Sequence, residues 1–86
     1  MSNLNNQMDE VLELLTNLQK DIMIPRNVRS KIKNAQSALL EKDKNLYLRI
    51  DKSIQELDEV AEDPNLPIDT KTYLWDLFSK LEGIQQ

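Results

Sequence analysis

The chain has 86 residues, 40% of them hydrophobic and 30% charged, with a net charge of −4. That length suits one domain, residues 1–86, with a thin core, and that balance argues against disorder. The absence of Cys and His excludes disulfides and thiolate metal sites, and removes the commonest general base and metal ligand.

In the first predicted helix, Leu4, Met8, Val11, Leu15, Leu18 and Ile22 recur at steps of four and three, and Leu12 and Leu14 widen the stripe. This is the pattern of a packed bundle helix, with Ser2 or Asn3 placed to cap its start. Pro25 suits the first turn of a second helix, where its missing N–H costs nothing, and its ring ends the preceding element at Ile24. The second stripe is Val28, Ile32, Ala35 and Leu39, fading near Lys42. Asp43 or Asn45 is a capping residue for a third helix, whose stripe reads Ile50, Ile54, Leu57 and Ala61, with Leu46 and Tyr47 at its entrance. Asp63-Pro64-Asn65-Leu66-Pro67 is the strongest turn signal in the chain. Pro67 opens a fourth helix with Asp69 in its first turn, a Leu74, Leu77, Phe78 and Leu81 stripe, and Gly83 as its cap before a frayed Ile84-Gln85-Gln86 end.

The second hairpin repeats the first. Leu12, Leu15, Leu18, Asp21, Ile24, Pro25 and Arg29 align with Ile54, Leu57, Val60, Asp63, Leu66, Pro67 and Lys71. The reading is all-α: an antiparallel four-helix bundle of up-and-down topology built from two helix–proline-turn–helix hairpins. A pair of stacked solenoid hairpins is the alternative, and two uncapped repeats make a poor solenoid.

Three stretches together carry a family resemblance: Ile24-Pro25-Arg26-Asn27-Val28-Arg29, Leu57-Asp58-Glu59-Val60 leading to Asp63-Pro64-Asn65-Leu66-Pro67, and Thr72-Tyr73-Leu74-Trp75 with Leu81-Glu82. The chain resembles the archaeal uncharacterised protein family 0147. The resemblance implies a bromodomain-like bundle, a label for topology that carries no acetyl-lysine reading. The family has no established activity, so it adds no catalytic residue. Its third helix opens with a proline followed by a Val-Arg pair; here Asn45-Leu46-Tyr47-Leu48-Arg49 keeps the arginine and lacks the proline.

Charge is unevenly spread. Residues 26–52 hold eight cations against three acids, while residues 53–86 hold two cations against eight acids. Arg26, Arg29 and Lys33 form a basic face on helix two, a candidate anion-binding face for nucleic acid, or else a solvated face beside acids of helices one and four. No aromatic interleaves with these cations, which removes the stacking that single-strand binders use. The carboxylates Glu56, Glu59, Glu62 and Asp63 splay from one helix and do not make a hard-cation site. Ser30, Ser37, Ser53 and Ser79 have no His partner, and the lone Gly excludes a phosphate loop. No cofactor, metal or catalytic residue is expected. The surplus leucines Leu12 and Leu14, with Tyr73 and Trp75, are the candidate partner contacts. A non-enzymatic interaction module follows, self-associating as a dimer or meeting another protein; an accessory nucleic-acid or ribonucleoprotein binder is the alternative. No signal peptide or membrane span is read, and a cytoplasmic location is the default.

Overall fold

Four amphipathic stripes give four helices in the computed structural model, which describes residues 3–85 and the side chains of residues 6–84. They are α1 (Asn3–Gln19), α2 (Arg26–Leu39), α3 (Leu46–Ala61) and α4 (Ile68–Gln85), with no strand among the described residues. Ser2, the side chains of Asn3 and Leu4, with them the predicted cap, and residue 86 lie outside the described residues.

The sequence shows two proline corners; the structure contains three corners of one design. Residues 20–25, 40–45 and 62–67 each make the same backbone hydrogen bonds. Each helix ends in a tightened turn, with Lys20 N–H donating to Asn17 O at 3.1 Å, Leu40 N–H to Ser37 O at 3.1 Å and Glu62 N–H to Glu59 O at 3.3 Å. This satisfies terminal carbonyls without a left-handed residue, and none of the described residues has positive φ. In the outer corners an aspartate then folds the chain back. Asp21 accepts from Met23 N–H at 2.9 Å, and Asp63 from Asn65 N–H at 2.8 Å. Pro25 occupies the cap position of α2 and so sits one residue before the first helical turn; its carbonyl accepts from Arg29 N–H at 3.0 Å.

The middle corner reaches the same backbone by other chemistry. Glu41 replaces the aspartate and pairs with Lys44 at 3.1 Å. Asn45 replaces the proline, and its side chain caps α3 by accepting from Leu48 N–H at 2.9 Å. Asn45 has φ −68°, which a proline ring matches. Asn45→Ala is therefore expected to cost about 1 kcal/mol through the lost cap. Asn45→Pro is expected to be near neutral, because about 0.4–1 kcal/mol from a stiffer unfolded chain offsets that loss. Urea melts of the two variants check this, and a Pro variant worse than the Ala variant would show that the corners differ.

Each helix packs on its sequence neighbours, and α4 closes on α1; α1–α3 and α2–α4 are diagonal. Closure of α4 on α1 makes the ring a bundle and excludes the open solenoid. The directions are antiparallel: Glu10 meets Lys80 at 3.1 Å near one end of the α1–α4 pair, while Asn17 and Tyr73 share a groove near the other. The closest pair is α2–α3, where Ala35, Ala38 and Ser53 are all buried; small side chains let helix backbones approach.

The core holds Val11, Leu15 and Leu18 of α1, Val28, Ile32 and Leu39 of α2, Ile50, Leu57 and Val60 of α3, and Leu74, Leu77, Phe78 and Leu81 of α4, closed by Ile24 and Leu66 from the outer corners. Four expectations are corrected. The α3 core face runs through Ser53 and Val60, with Ile54 and Ala61 half-buried at its edge. Ile22 lies past the end of α1 and is 85% exposed. Gly83 is not a cap, because α4 continues through it; a Cβ there would meet nothing within 4 Å. Ile84 is helical and buried.

Candidate contact faces

The four apolar candidates do not form one patch. Leu12 and Leu14 are half-buried and pack against the chain's own core. The Leu12 carbonyl also accepts from Gln36 Nε2 at 3.0 Å, in a polar ladder that joins Thr16 and Gln19 of α1 to α2. The surplus seen in the sequence is thus largely consumed by the bundle. Tyr73 points the other way from Trp75, into the α1–α4 groove with Asn17, Leu18, Asp21, Asp69 and Thr70.

Burial pushes the Tyr73 hydroxyl above the usual tyrosine range, with the nearby carboxylates of Asp76 and Glu13 adding to it and the Asn17 side chain opposing. Lys80, lying between Glu10 at 3.1 Å and Asp76 at 3.3 Å, is also raised, first by its bond to Glu10 and then by that to Asp76. A raised folded value means that the folded state keeps a proton the unfolded chain has already released. Both groups therefore contribute their full stability below their ordinary values of 10.0 and 10.5, and lose it as pH rises beyond them. The melting temperature is expected to fall on passing from pH 9 to pH 11. Tyr73→Phe is expected to flatten that fall; an unchanged slope would show that Tyr73 does not couple to folding.

Trp75 is 63% exposed. Its ring leans on Phe78, with centroids 5.8 Å apart and planes tilted 55°, which fixes it at little further entropic cost. Ile54 and Asp58 of α3, with Ser79 and Glu82 of α4, complete a shallow depression around these two rings. Neither Asp58 nor Glu82 has an ion-pair partner among the described residues.

Arg26, Arg29 and Lys33 are brought together. With Gln19 and Ser30 they line one open depression where α1 ends and α2 begins. Arg26 and Lys33 are exposed, and Arg29 is half-buried with its Nε shielded and without an acceptor. Arg49 holds the same position after its own corner, but its Nη1 donates to the Leu39 carbonyl at 3.3 Å. The acid that faces α2 is Glu59 of α3, at 3.8 Å from Lys31. It does not come from α4, because α4 lies diagonally across the ring. Among the described residues no three carboxylates gather as a metal site, and no helix is long and apolar enough to cross a membrane.

Sequence reasoning missed Ile68, which is 80% exposed, and misplaced Ile22. Each follows or precedes an aspartate lining the α1–α4 groove. An isoleucine beside an Asx turn or a helix-opening proline is the signal that could have found them.

The model of the uncharacterised protein family UPF0147 matches residues 1–84. The chain belongs to that family. A UPF0147 protein of Thermoplasma acidophilum is 37% identical, over 94% of this chain and 92% of the relative. One from Pyrococcus horikoshii is 33% identical over 99% and 92%. The crystal structure of the unknown-function protein MMP1188 superposes with a TM-score of 0.91 at 34% identity, covering all of both chains. A crystal structure of a UPF0147 protein from Thermoplasma acidophilum gives 0.88 at 38% identity, over 93% and 94%. The two relatives are archaeal proteins of an uncharacterised family, and this UPF0147 chain shares the fold of the two crystal structures.

Proposed function

We propose that this UPF0147 protein is a non-catalytic contact module that docks a basic protein segment on the α3–α4 face around Trp75. The observation that carries this reading is the indole itself, 63% exposed yet anchored on Phe78. A fixed, exposed aromatic is the typical centre of a binding hot spot. Asp58 and Glu82, flanking the rings without ion-pair partners among the described residues, add charge that suits lysine or arginine, and an arginine over the indole gains a cation–π contact. Of the apolar residues expected from the sequence to make a dimer, Leu12 and Leu14 pack on the chain's own core, which leaves Trp75 on this same face. A two-fold contact there sets Asp58 and Glu82 of two copies together, which like-charge repulsion disfavours. The want of a histidine, and of a buried nucleophile–base pair among the described residues, supports a role without catalysis.

Trp75 is the only tryptophan, so its emission reports this face alone. Titration with an arginine-containing helical peptide is expected to shift that emission saturably, and Asp58→Lys with Glu82→Lys is expected to abolish the shift. No shift with basic peptides, together with a concentration-dependent dimer in sedimentation that Trp75→Ala dissolves, would replace the basic partner by a second copy.

A further inference from the structure

Arg26, Arg29 and Lys33 stand at i, i+3 and i+7 of α2, a stripe about 10 Å long on one helix face. Gln19 from α1 and Ser30 from α2 complete the depression, so every residue lining it carries a donor and none is a carboxylate. In a chain with more acids than bases, none of these three cations has an ion-pair partner among the described residues, whereas Lys31, Lys44 and Lys80 do. The Arg29 Nε is buried without an acceptor, a property it shares with the Arg49 Nε, so the terminal nitrogens are what set Arg29 apart. At the equivalent corner Arg49 spends its guanidinium on the Leu39 carbonyl, while Arg29 faces the open depression.

We propose that this face binds consecutive phosphates of a nucleic-acid strand. The stripe is longer than one phosphate needs, and arginine forks match phosphate oxygens in paired geometry. Ser30 and Gln19 add neutral donors beside them. No aromatic side chain lines the depression, so bases are not stacked and the contact reads backbone without sequence. The face lies on the α1–α2 edge, across the ring from the α3–α4 face that holds Trp75. It is therefore independent of the docking reading, and both ligands fit at once.

Three neutralised phosphates imply a log–log salt slope near −2 for a single strand, hence roughly 20-fold weaker binding at about 200 mM salt than at about 50 mM. The test is fluorescence anisotropy of labelled single-stranded RNA and DNA oligonucleotides with the full chain. Saturable binding with that slope, alike for different base sequences, is expected. Arg26→Glu with Lys33→Glu is expected to weaken it at least about tenfold and to reduce the slope to near −0.7, one remaining contact. Arg26→Gln with Lys33→Gln, gentler on the helix, should show the same order of loss. Lys42→Glu with Lys52→Glu alters net charge equally at exposed sites elsewhere and should change affinity less than about twofold, since rim-distant charges act only through the screened field. The proposal is overturned by no binding at low salt, by equal losses in the two double reversals, or by strong preference for one base sequence. It is equally overturned if the protein alone forms a salt-sensitive oligomer that Arg26→Glu dissolves while no oligonucleotide binds. The anion on this face would then be a carboxylate of another copy.

Discussion

Leu57→Ala is expected to destabilise the bundle by about 3 kcal/mol, within the range measured for buried leucines. Leu57 is fully buried in α3 and belongs to the same cluster as Ile32, Leu74 and Leu77 of the flanking helices. Its neighbours are held in rigid helices on both sides, so the space left by three lost carbons closes only in part, and the cavity adds to the lost transfer free energy. An 86-residue chain has a total stability of about 4–13 kcal/mol, so this one change removes a large share. The melting temperature should fall by about 12–24 °C, at 4–8 °C per kcal/mol for a chain this size. Ile22→Ser is the contrasting variant. Its side chain is almost wholly outside the core, and an exposed substitution of this kind stays within about 0.5 kcal/mol. Thermal melts of both variants by circular dichroism check the contrast. A Leu57→Ala loss below 1 kcal/mol would mean that α3 does not present Leu57 to the common core.

The stripes that the sequence reads fully are those of α2 and α4, whose core faces are apolar apart from Thr70 at the start of α4. Val28, Ile32, Ala35 and Leu39 in α2, and Leu74, Leu77, Phe78 and Leu81 in α4, are all buried. Periodicity sees such faces because hydrophobicity alone decides them. In α3 the expected stripe is right at Ile50 and Leu57 and misses at Ile54 and Ala61, because the buried neighbours are Ser53 and Val60 while Ile54 looks apolar and sits at the edge. A small polar residue in the closest helix pair is chosen for size, and size leaves no trace in a hydropathy pattern. The end of α1 was misread for a different reason: Ile22 keeps the period of the stripe, but the Asp21 side chain captures Met23 N–H and turns the chain first. The middle corner was hidden because it uses Glu41, Lys44 and Asn45 where the others use aspartate and proline. Its backbone is common to all three, and backbone geometry is what the sequence encodes least directly. The basic face was legible as a spacing of three and four on α2. That Gln19 of α1 joins it, and that no α4 acid reaches it, follows from the closure of the ring and not from any local pattern. Of the apolar candidates Leu12, Leu14 and Trp75, only Trp75 is exposed, since whether a surplus leucine is free depends on how far the neighbouring helix covers it.

Ser53 also leads to the second large prediction, an increase in stability on removal of a polar atom. Ser53 is fully buried, and its Oγ has no hydrogen-bond partner among the described residues. Two threonine hydroxyls in these helices return to the preceding turn: Thr16 donates to Leu12 O at 3.0 Å and Thr72 to Ile68 O at 3.4 Å. Ser53 does not, so its hydroxyl has left water without replacement, at a cost of about 1–3 kcal/mol. Alanine keeps the Cβ, hence the packing around it, and is also the better helix former by a few tenths of a kcal/mol. Ser53→Ala is therefore expected to stabilise the fold by about 1–2 kcal/mol, raising the melting temperature by about 4–8 °C for each. Ser53→Leu should act in the opposite direction. Added carbons at a fully buried position overpack the core, at a cost of about 1–3 kcal/mol. Opposite signs for two apolar replacements at one site separate desolvation from volume, which neither variant does alone. Denaturant unfolding of both variants is the measurement. If Ser53→Ala proved destabilising, the hydroxyl would have to be donating to the carbonyl one turn back, as threonines at 16 and 72 do.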